Sequence, residues 1–365
     1  MKEKRFYELD ALKGIAACIV AFFWHYQHFG PSQGSPFEHV FSLFYKYGQV
    51  AVEFFFLVSG FVMLHVYEEK IAEGKLSLRE YMGRRVMHLY PLSLLTLLVV
   101  AVIQSISFAY QGKFFVYPVN DVMHFMYNLL LCNYGIFDLN FSFNGPSWCI
   151  PVEMICYFLL FWVVYYTGKA KEKRYIYMVV LILFGIFCYM QSLRYPIVNY
   201  QVARGLISFF MGCLLCKGYR EIVKRKIETR VGCTSLFLLM IIAGVMQAFQ
   251  LNVGNFWNQV QFMMFLVAPL ILYTAICLKP LKVLLGIRPL VYLGKISFSI
   301  YMWHFPVQIF LMTLNLKFGM KMDFSSYKMF FVYILSTLAI AVFSYEFLEK
   351  VTRKAIRRIV SPSRV

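Results

Sequence analysis

Residues 44–67 read FYKYGQVAVEFFFLVSGFVMLHVY, an apolar run broken by Lys46 near its start and by Glu53. A bilayer core is crossed by about 20 mostly apolar residues in a helix, so the run is long enough to span. Its Ser59-Gly60 pair suits a close approach between helices. Working outward, comparable runs recur at 11–29, 88–110, 146–167, 175–192, 200–217, 231–249, 258–278, 290–315 and 328–349. The expectation is an all-α polytopic membrane protein with ten crossings. The segment 121–133, DVMHFMYNLLLCN, is amphipathic and too short to cross, so it is expected to lie in the interface or to re-enter.

Composition agrees. The chain is 60% hydrophobic and 15% charged, against roughly 45–50% and 25% for a soluble domain. That excludes a disordered chain, a secreted disulfide scaffold and a coiled coil. The net charge of +18 is explained by where the cations fall. With the N-terminus inside, 27 of the 36 Lys and Arg lie in inner segments, and the outer loops hold only Lys113, Arg194, Lys317 and Lys321. This is the positive-inside pattern, and it puts both termini in the cytoplasm. The surplus reports orientation, so no nucleic-acid partner is expected. The first apolar stretch carries Lys13, Trp24 and His25 and lacks a small-residue cleavage site, so it reads as a retained helix. The nine Cys fall mostly inside crossings. Cys213 and Cys216 have no second pair or nearby His, so they read as packing residues, and no metal site is expected.

Ionisable residues within the crossings carry the functional signal, because each costs about 2.5–3.5 kcal/mol to insert. They are Lys13, His25, Glu53, Glu153, Arg204, Lys295, His304 and Glu346. Interhelical ion pairs explain Arg204, Lys295 and Glu346 as readily as function does. His25, in AFFWHYQHF, is a neutral imidazole suited to take and return a proton. Glu153, in NGPSWCIPVEMICYF, lies about 9–10 Å below a helix start at Ser147-Trp148. That matches the depth of His25, for which Glu153 or Glu53 is the expected orienting carboxylate. Arg84 and Arg85, in EYMGRRVMHLYPLS, are either topology determinants or a bidentate grip on phosphate. Pro91 is expected within the first turns of the third crossing.

Six blocks in order make these residues more specific. ELDALKGIAACIVAFFWHY, FFFLVSGFV, YMGRRVMHLYPL, SWCIPVEMICYF, LGKISFSIYMWHFPV and SYEFLEKVTRK together resemble the membrane acyltransferase-3 family from about residue 5 to 354. The resemblance implies a bacterial inner-membrane O-acyltransferase. Such a protein moves an acyl group, usually acetyl, from cytoplasmic acyl-CoA to a hydroxyl of a surface or exported saccharide or glycolipid. Acetyl-CoA would be a donor substrate, with no permanently bound cofactor. His25 and Glu153 take the catalytic positions of the family, and Arg84, Arg85, Lys13 and His88 the cofactor-binding ones. Glu53, Ser59, Ser147, Trp148 and His304 are further candidates. Residues 1–354 would form the membrane acyltransferase domain and 355–365 a basic cytoplasmic tail. Self-association is left open.

Two departures stand out. The family has Arg eleven residues before its His; here Lys13 precedes His25 by twelve. Twelve steps turn an ideal helix by about 120°, eleven by about 20°. Either a π-bulge restores the alignment or Lys13 pairs elsewhere, for instance with Asp10. His88 replaces a further arginine. Direct transfer and an acyl-His25 intermediate both remain open. The rival reading is a proton-coupled transporter or flippase; the absence of an internal repeat counts against it.

Overall fold

The computed structural model describes residues 5–137, 140–249 and 253–352. The expected basic tail, 355–365, lies outside the described residues. Helix α1 (Tyr7–Cys18) passes directly into a π turn, Ile19–Trp24, and a 3-10 turn, His25–Phe29. Helix α2 (Glu38–Tyr47) leads through a short turn into α3 (Ala51–Ala72), followed by α4 (Leu78–Gln111) and the short α5 (Val122–Leu129). A 3-10 turn at Gly145–Trp148 opens α6 (Cys149–Thr167), and then come α7 (Lys171–Met190), α8 (Tyr200–Lys224) and α9 (Glu228–Ala248). Helix α10 (Phe256–Phe262) joins α11 (Ala268–Cys277) through a second π turn, Met263–Val267. Two short helices, α12 (Lys279–Leu285) and α13 (Arg288–Lys295), precede α14 (Ser297–Phe318) and α15 (Tyr327–Ser344). The connections 73–77, 168–170, 225–227 and 278–296 share one end of the bundle, here the basic end. The connections 30–37, 112–144, 191–199 and 319–326 share the opposite end.

Among the described residues, nine helical segments are long and apolar enough to cross a membrane. The tenth expected crossing, 290–315, divides into α13 and α14, and neither belongs to the nine. Helix α14 is long enough at 22 residues, but Ser297, Ser299, His304, Gln308 and Thr313 lower its hydropathy. All five are buried against other helices. It is therefore a core helix, whereas α9 has only Gly232 and Ser235 buried and turns its apolar side chains outward.

Pro91 corrects a second expectation. The Ser77 hydroxyl accepts from the Glu80 backbone N–H, and the Glu80 carboxylate accepts from the Ser77 N–H at 3.2 Å. This capping box starts α4 ten residues before the expected entry, which leaves Pro91 in the helix interior. Arg84 and Arg85 are therefore held on a rigid helix rather than in a loop. The amphipathic segment forms α5, capped by Asp121. Val122, Met123, Met126 and Leu130 are exposed, while Asn128 is buried. That is how a helix lying in an interface packs.

Glycines set the helix spacing. A Cβ on Gly60 would sit 1.9 Å from the Phe209 carbonyl oxygen, and one on Gly212 would sit 1.9 Å from that of Leu57. Helices α3 and α8 thus touch backbone to backbone, as small residues permit within membranes. A Cβ on Gly294 would lie 2.0 Å from the Asp10 carbonyl oxygen, and one on Gly14 would lie 2.8 Å from Gly294 N. This second contact brings the Lys13 and Lys295 segments together.

Buried charge is paired across the same seams. Arg204 binds Glu53 and donates to Gln201 Oε1 at 2.7 Å, with its guanidinium 4.5 Å from the Trp148 ring. Nearer the basic end, Glu68 is held by both Arg174 and Arg220. Arg174 also donates to Thr167 Oγ1 at 3.2 Å and to the Gly168 carbonyl. A buried carboxylate held by two guanidiniums needs this degree of satisfaction.

Candidate functional site

A cavity of about 530 Å³ enters the bundle from the basic end. Its mouth carries Arg5, Lys13, Arg84, Arg85, His88 and Lys295. Along α3 the lining runs through Tyr67, Met63, Ser59, Phe56 and Val52. Fifteen residues of helix correspond to about 22 Å, so the cavity suits a long, narrow ligand that is anionic at one end. Arg85 donates to Tyr67 Oη at 2.7 Å, and its guanidinium lies 5.2 Å from that ring. The Nε atoms of Arg84 and Arg85 are both buried and have no hydrogen-bond partner among the described residues. Two guanidinium donors without a protein acceptor in a cationic pocket can pair with an anion. Lys13 pairs with Asp10 at 3.3 Å, and Asp10 also accepts from Arg5 at 2.9 Å.

Deeper in the cavity, Glu153 accepts a 2.5 Å hydrogen bond from Tyr157 Oη, which lies 2.9 Å from Ser59 Oγ. Cys149 and Tyr301 complete this inner wall. Ser59 thus belongs to the lining, while its neighbour Gly60 makes the expected helix contact.

His25 stands outside this cavity and turns to His304 rather than to Glu153 or Glu53. His25 Nδ1 and His304 Nε2 are 2.5 Å apart, and the rings lie nearly parallel with centroids 4.8 Å apart. His28 stacks on the other face of the cluster at 5.0 Å. Gln308 donates to the His25 carbonyl at 2.8 Å. The bonding sets the tautomers. The Tyr301 carbonyl can only accept, and His304 Nδ1 lies 2.5 Å from it, so His304 carries its proton on Nδ1. With both rings neutral, His304 Nε2 is then an acceptor and His25 Nδ1 its donor. The lone pair of His25 is then left on Nε2. Tyr301 joins the two regions, since its side chain lines the cavity and its carbonyl holds His304.

The expected pairing of His25 with a carboxylate is therefore replaced. Depth below the surface is a one-dimensional quantity, and it cannot tell which helix faces which. Glu53 and Trp148 belong instead to the Arg204 cluster. Ser147 Oγ accepts from Asn133 Nδ2 at 3.1 Å, fastening the turn before α6. The spacing anomaly between Lys13 and His25 is met in both ways at once. The π turn Ile19–Trp24 absorbs the additional residue, and Lys13 has Asp10. Among the described residues, no three His, Cys, Asp or Glu side chains converge as metal ligands.

Tyr157, Tyr301, His28 and Gln308 were not singled out by residue type. One signal could have found two of them. Ser297, Tyr301, His304 and Gln308 follow at i, i+4, i+7 and i+11, a polar stripe down one face of α14. That stripe runs from the cavity to His25.

Comparison with known proteins gives a consistent picture. A family described as an acyltransferase domain matches residues 6–346. An O-acetyltransferase, OatA, of Staphylococcus aureus is 22% identical over 335 residues, covering 84% of this chain and 53% of that protein. The product named protein 2 in picA locus, from Rhizobium radiobacter, is 33% identical over 98 residues, 27% of this chain and 45% of that protein. An uncharacterized protein of Haemophilus influenzae is 25% identical over 179 residues, 45% of this chain and 73% of that protein. The matches cover about half the length of the first two. No solved structure matches.

Proposed function

The chain belongs to the acyltransferase domain family, and from that membership we propose that it is an integral-membrane O-acyltransferase using acyl-CoA as donor and a saccharide hydroxyl as acceptor. The observation that carries this reading is the cavity at the basic end, where Arg84 and Arg85 present buried, unpartnered Nε donors. A phosphate-bearing ligand satisfies them, with Lys13, Lys295 and His88 completing the cationic mouth. Its chain then follows the face of α3 inward toward Glu153 and Tyr301. The positive-inside pattern supports a cytoplasmic basic end, as expected for a protein of the bacterial inner membrane.

In this reading His25 Nε2 takes the proton of the acceptor hydroxyl while that oxygen attacks the thioester carbonyl. The tetrahedral intermediate collapses, the C–S bond breaks, and the CoA thiolate leaves to be protonated. His304 keeps the lone pair of His25 on the reactive nitrogen. Purified chain in liposomes with acetyl-labelled acetyl-CoA and a saccharide acceptor tests the scheme. Wild type is expected to label the saccharide. His25→Ala should lose transfer by about a thousandfold while keeping its melting temperature and its CoA binding. Unaltered transfer by His25→Ala would remove the imidazole from the reaction.

A further inference from the structure

The acyl-transfer scheme leaves a second large cavity unused. It measures about 900 Å³ and lies between α2, the start of α3, α9 and the α10–α11 segment. Its ends differ in character. Ser42, Lys46, Gln247 and Gln259 line it near the opposite end of the bundle. Leu239, Ile242, Val267 and Ile271 line it toward the middle of the spanning segments. From Gln259 to Ile271 is about 18 Å of helix, so the groove is polar at its mouth and apolar below. Gln49 donates to Gln259 Oε1 at 3.1 Å across the polar end. Helix α9, which forms one side, exposes Phe237, Met240, Ile241 and Val245, so the groove borders on hydrocarbon.

Among the described residues that line it, Lys46 carries the one charge. Its ammonium lies 5.2 Å from the Tyr47 ring centroid, and no carboxylate among the described residues pairs with it. Cations are scarce at this end of the bundle, so a lone lysine over an apolar groove is a selective feature.

We propose that this groove binds one phosphate-headed bilayer phospholipid, with a hydrocarbon chain along Leu239 and Ile271 and the phosphate at the Lys46 ammonium. The walls belong to spanning segments, so hydrocarbon fills them. The single cation at the mouth then selects an anionic head over a zwitterionic one. The occupant also touches the catalytic side of the bundle. Ile19 lines the groove and is the first residue of the π turn that leads to His25. A Cβ on Gly48 would lie 3.0 Å from Trp24 Cβ and 3.2 Å from Ile19 Cγ2, so this wall is closely packed against that turn.

The test is to reconstitute the full chain in nanodiscs of mixed phosphatidylglycerol and phosphatidylcholine, release it into mild detergent, and identify retained lipid by native mass spectrometry. One phosphatidylglycerol per chain is expected, preferred over phosphatidylcholine by about fivefold, the selectivity one lysine supplies near a phosphate surface. Lys46→Gln should abolish the preference, and Ile242→Trp should lower retention of both lipids by filling the apolar end. Equal retention of the two lipids by wild type, or an undiminished preference in Lys46→Gln, would overturn the proposal. So would co-purification from cells of a lipid-linked saccharide in place of phospholipid. Lys46 is solvent-accessible, so its variant keeps the test decisive should Ile242→Trp fail to fold.

Discussion

Two groups of arginines lie in the half of the bundle toward the basic end, and they differ in one respect. Arg174 and Arg220 share Glu68, and Arg174 has Thr167 and the Gly168 carbonyl as well. Arg84 and Arg85 line a cavity, and the Nε of each is buried without a partner. The first group is complete within the chain. The second keeps an unpartnered Nε in each member, although Arg85 also donates to Tyr67 Oη. Residue type and depth do not separate them; satisfaction of donors does. On the proposed reading, the free Nε donors of Arg84 and Arg85 are the ones left for a ligand.

Substitutions can break or sharpen this contrast. The largest expected effect is on stability from Arg174→Met. It leaves the buried Glu68 carboxylate short of a partner, at a cost of about 3–5 kcal/mol. Thermal unfolding in detergent should show a clear drop in midpoint, while the fraction that remains folded binds CoA normally. Arg84→Gln should do the reverse. It removes a charge-assisted contact of about 1.5–3 kcal/mol to bound phosphate, weakening CoA binding about ten- to a hundredfold by equilibrium dialysis with no fall in the unfolding midpoint. If Arg84→Gln destabilises the fold as much as Arg174→Met does, the contrast is lost.

The smallest expected effect is at the other end of the molecule, where charge is exposed. Asp121 caps α5, and its carboxyl is held below its ordinary value of 3.8, chiefly by the His124 backbone N–H and then by the His124 side chain. A lowered carboxylate pKa means that the cap is fully made above the ordinary value and is lost as pH falls through the lowered one. The protection of the His124 amide, its exchange relative to the unstructured rate at the same pH, should therefore hold down to about pH 4 and fall only below it. Asp121→Asn, which retains a capping oxygen, should remove that pH dependence. A cap that fails well above pH 4 would contradict the assignment.

How much of this was legible in the sequence differs from residue to residue. Arg84 and Arg85 were found by their adjacency and setting, and the structure puts both in the cationic cavity with Lys13, His88 and Lys295. Arg174 and Arg220 stand in KEKR and KGYRE, stretches that look like any other inner loop. They read as topology determinants because Glu68 is more than a hundred residues from either. The Ser77–Glu80 capping box was visible as SLRE and would have placed the start of α4 correctly. The neighbours of His25 were not visible. Glu153 lies in the basic-end cavity bonded to Tyr157, and His304 reaches His25 because α14 is packed inside the bundle.

The sequence by itself determined that the chain is a helical membrane protein. It also determined the ionisable residues at issue and, through six ordered blocks, the family. These depend on local quantities: the transfer free energy of an apolar run, the cost of a charge within it, and short motifs read in order. Only the tertiary structure decided which of those residues meet. Helix rotation and depth are set jointly by the backbone contacts at Gly60–Gly212 and Gly14–Gly294 and by the π turn at Ile19–Trp24. A turn or a translation of a few ångströms changes every partner across a seam. That is why the His25 ring meets a histidine and not the carboxylate its sequence neighbourhood suggested.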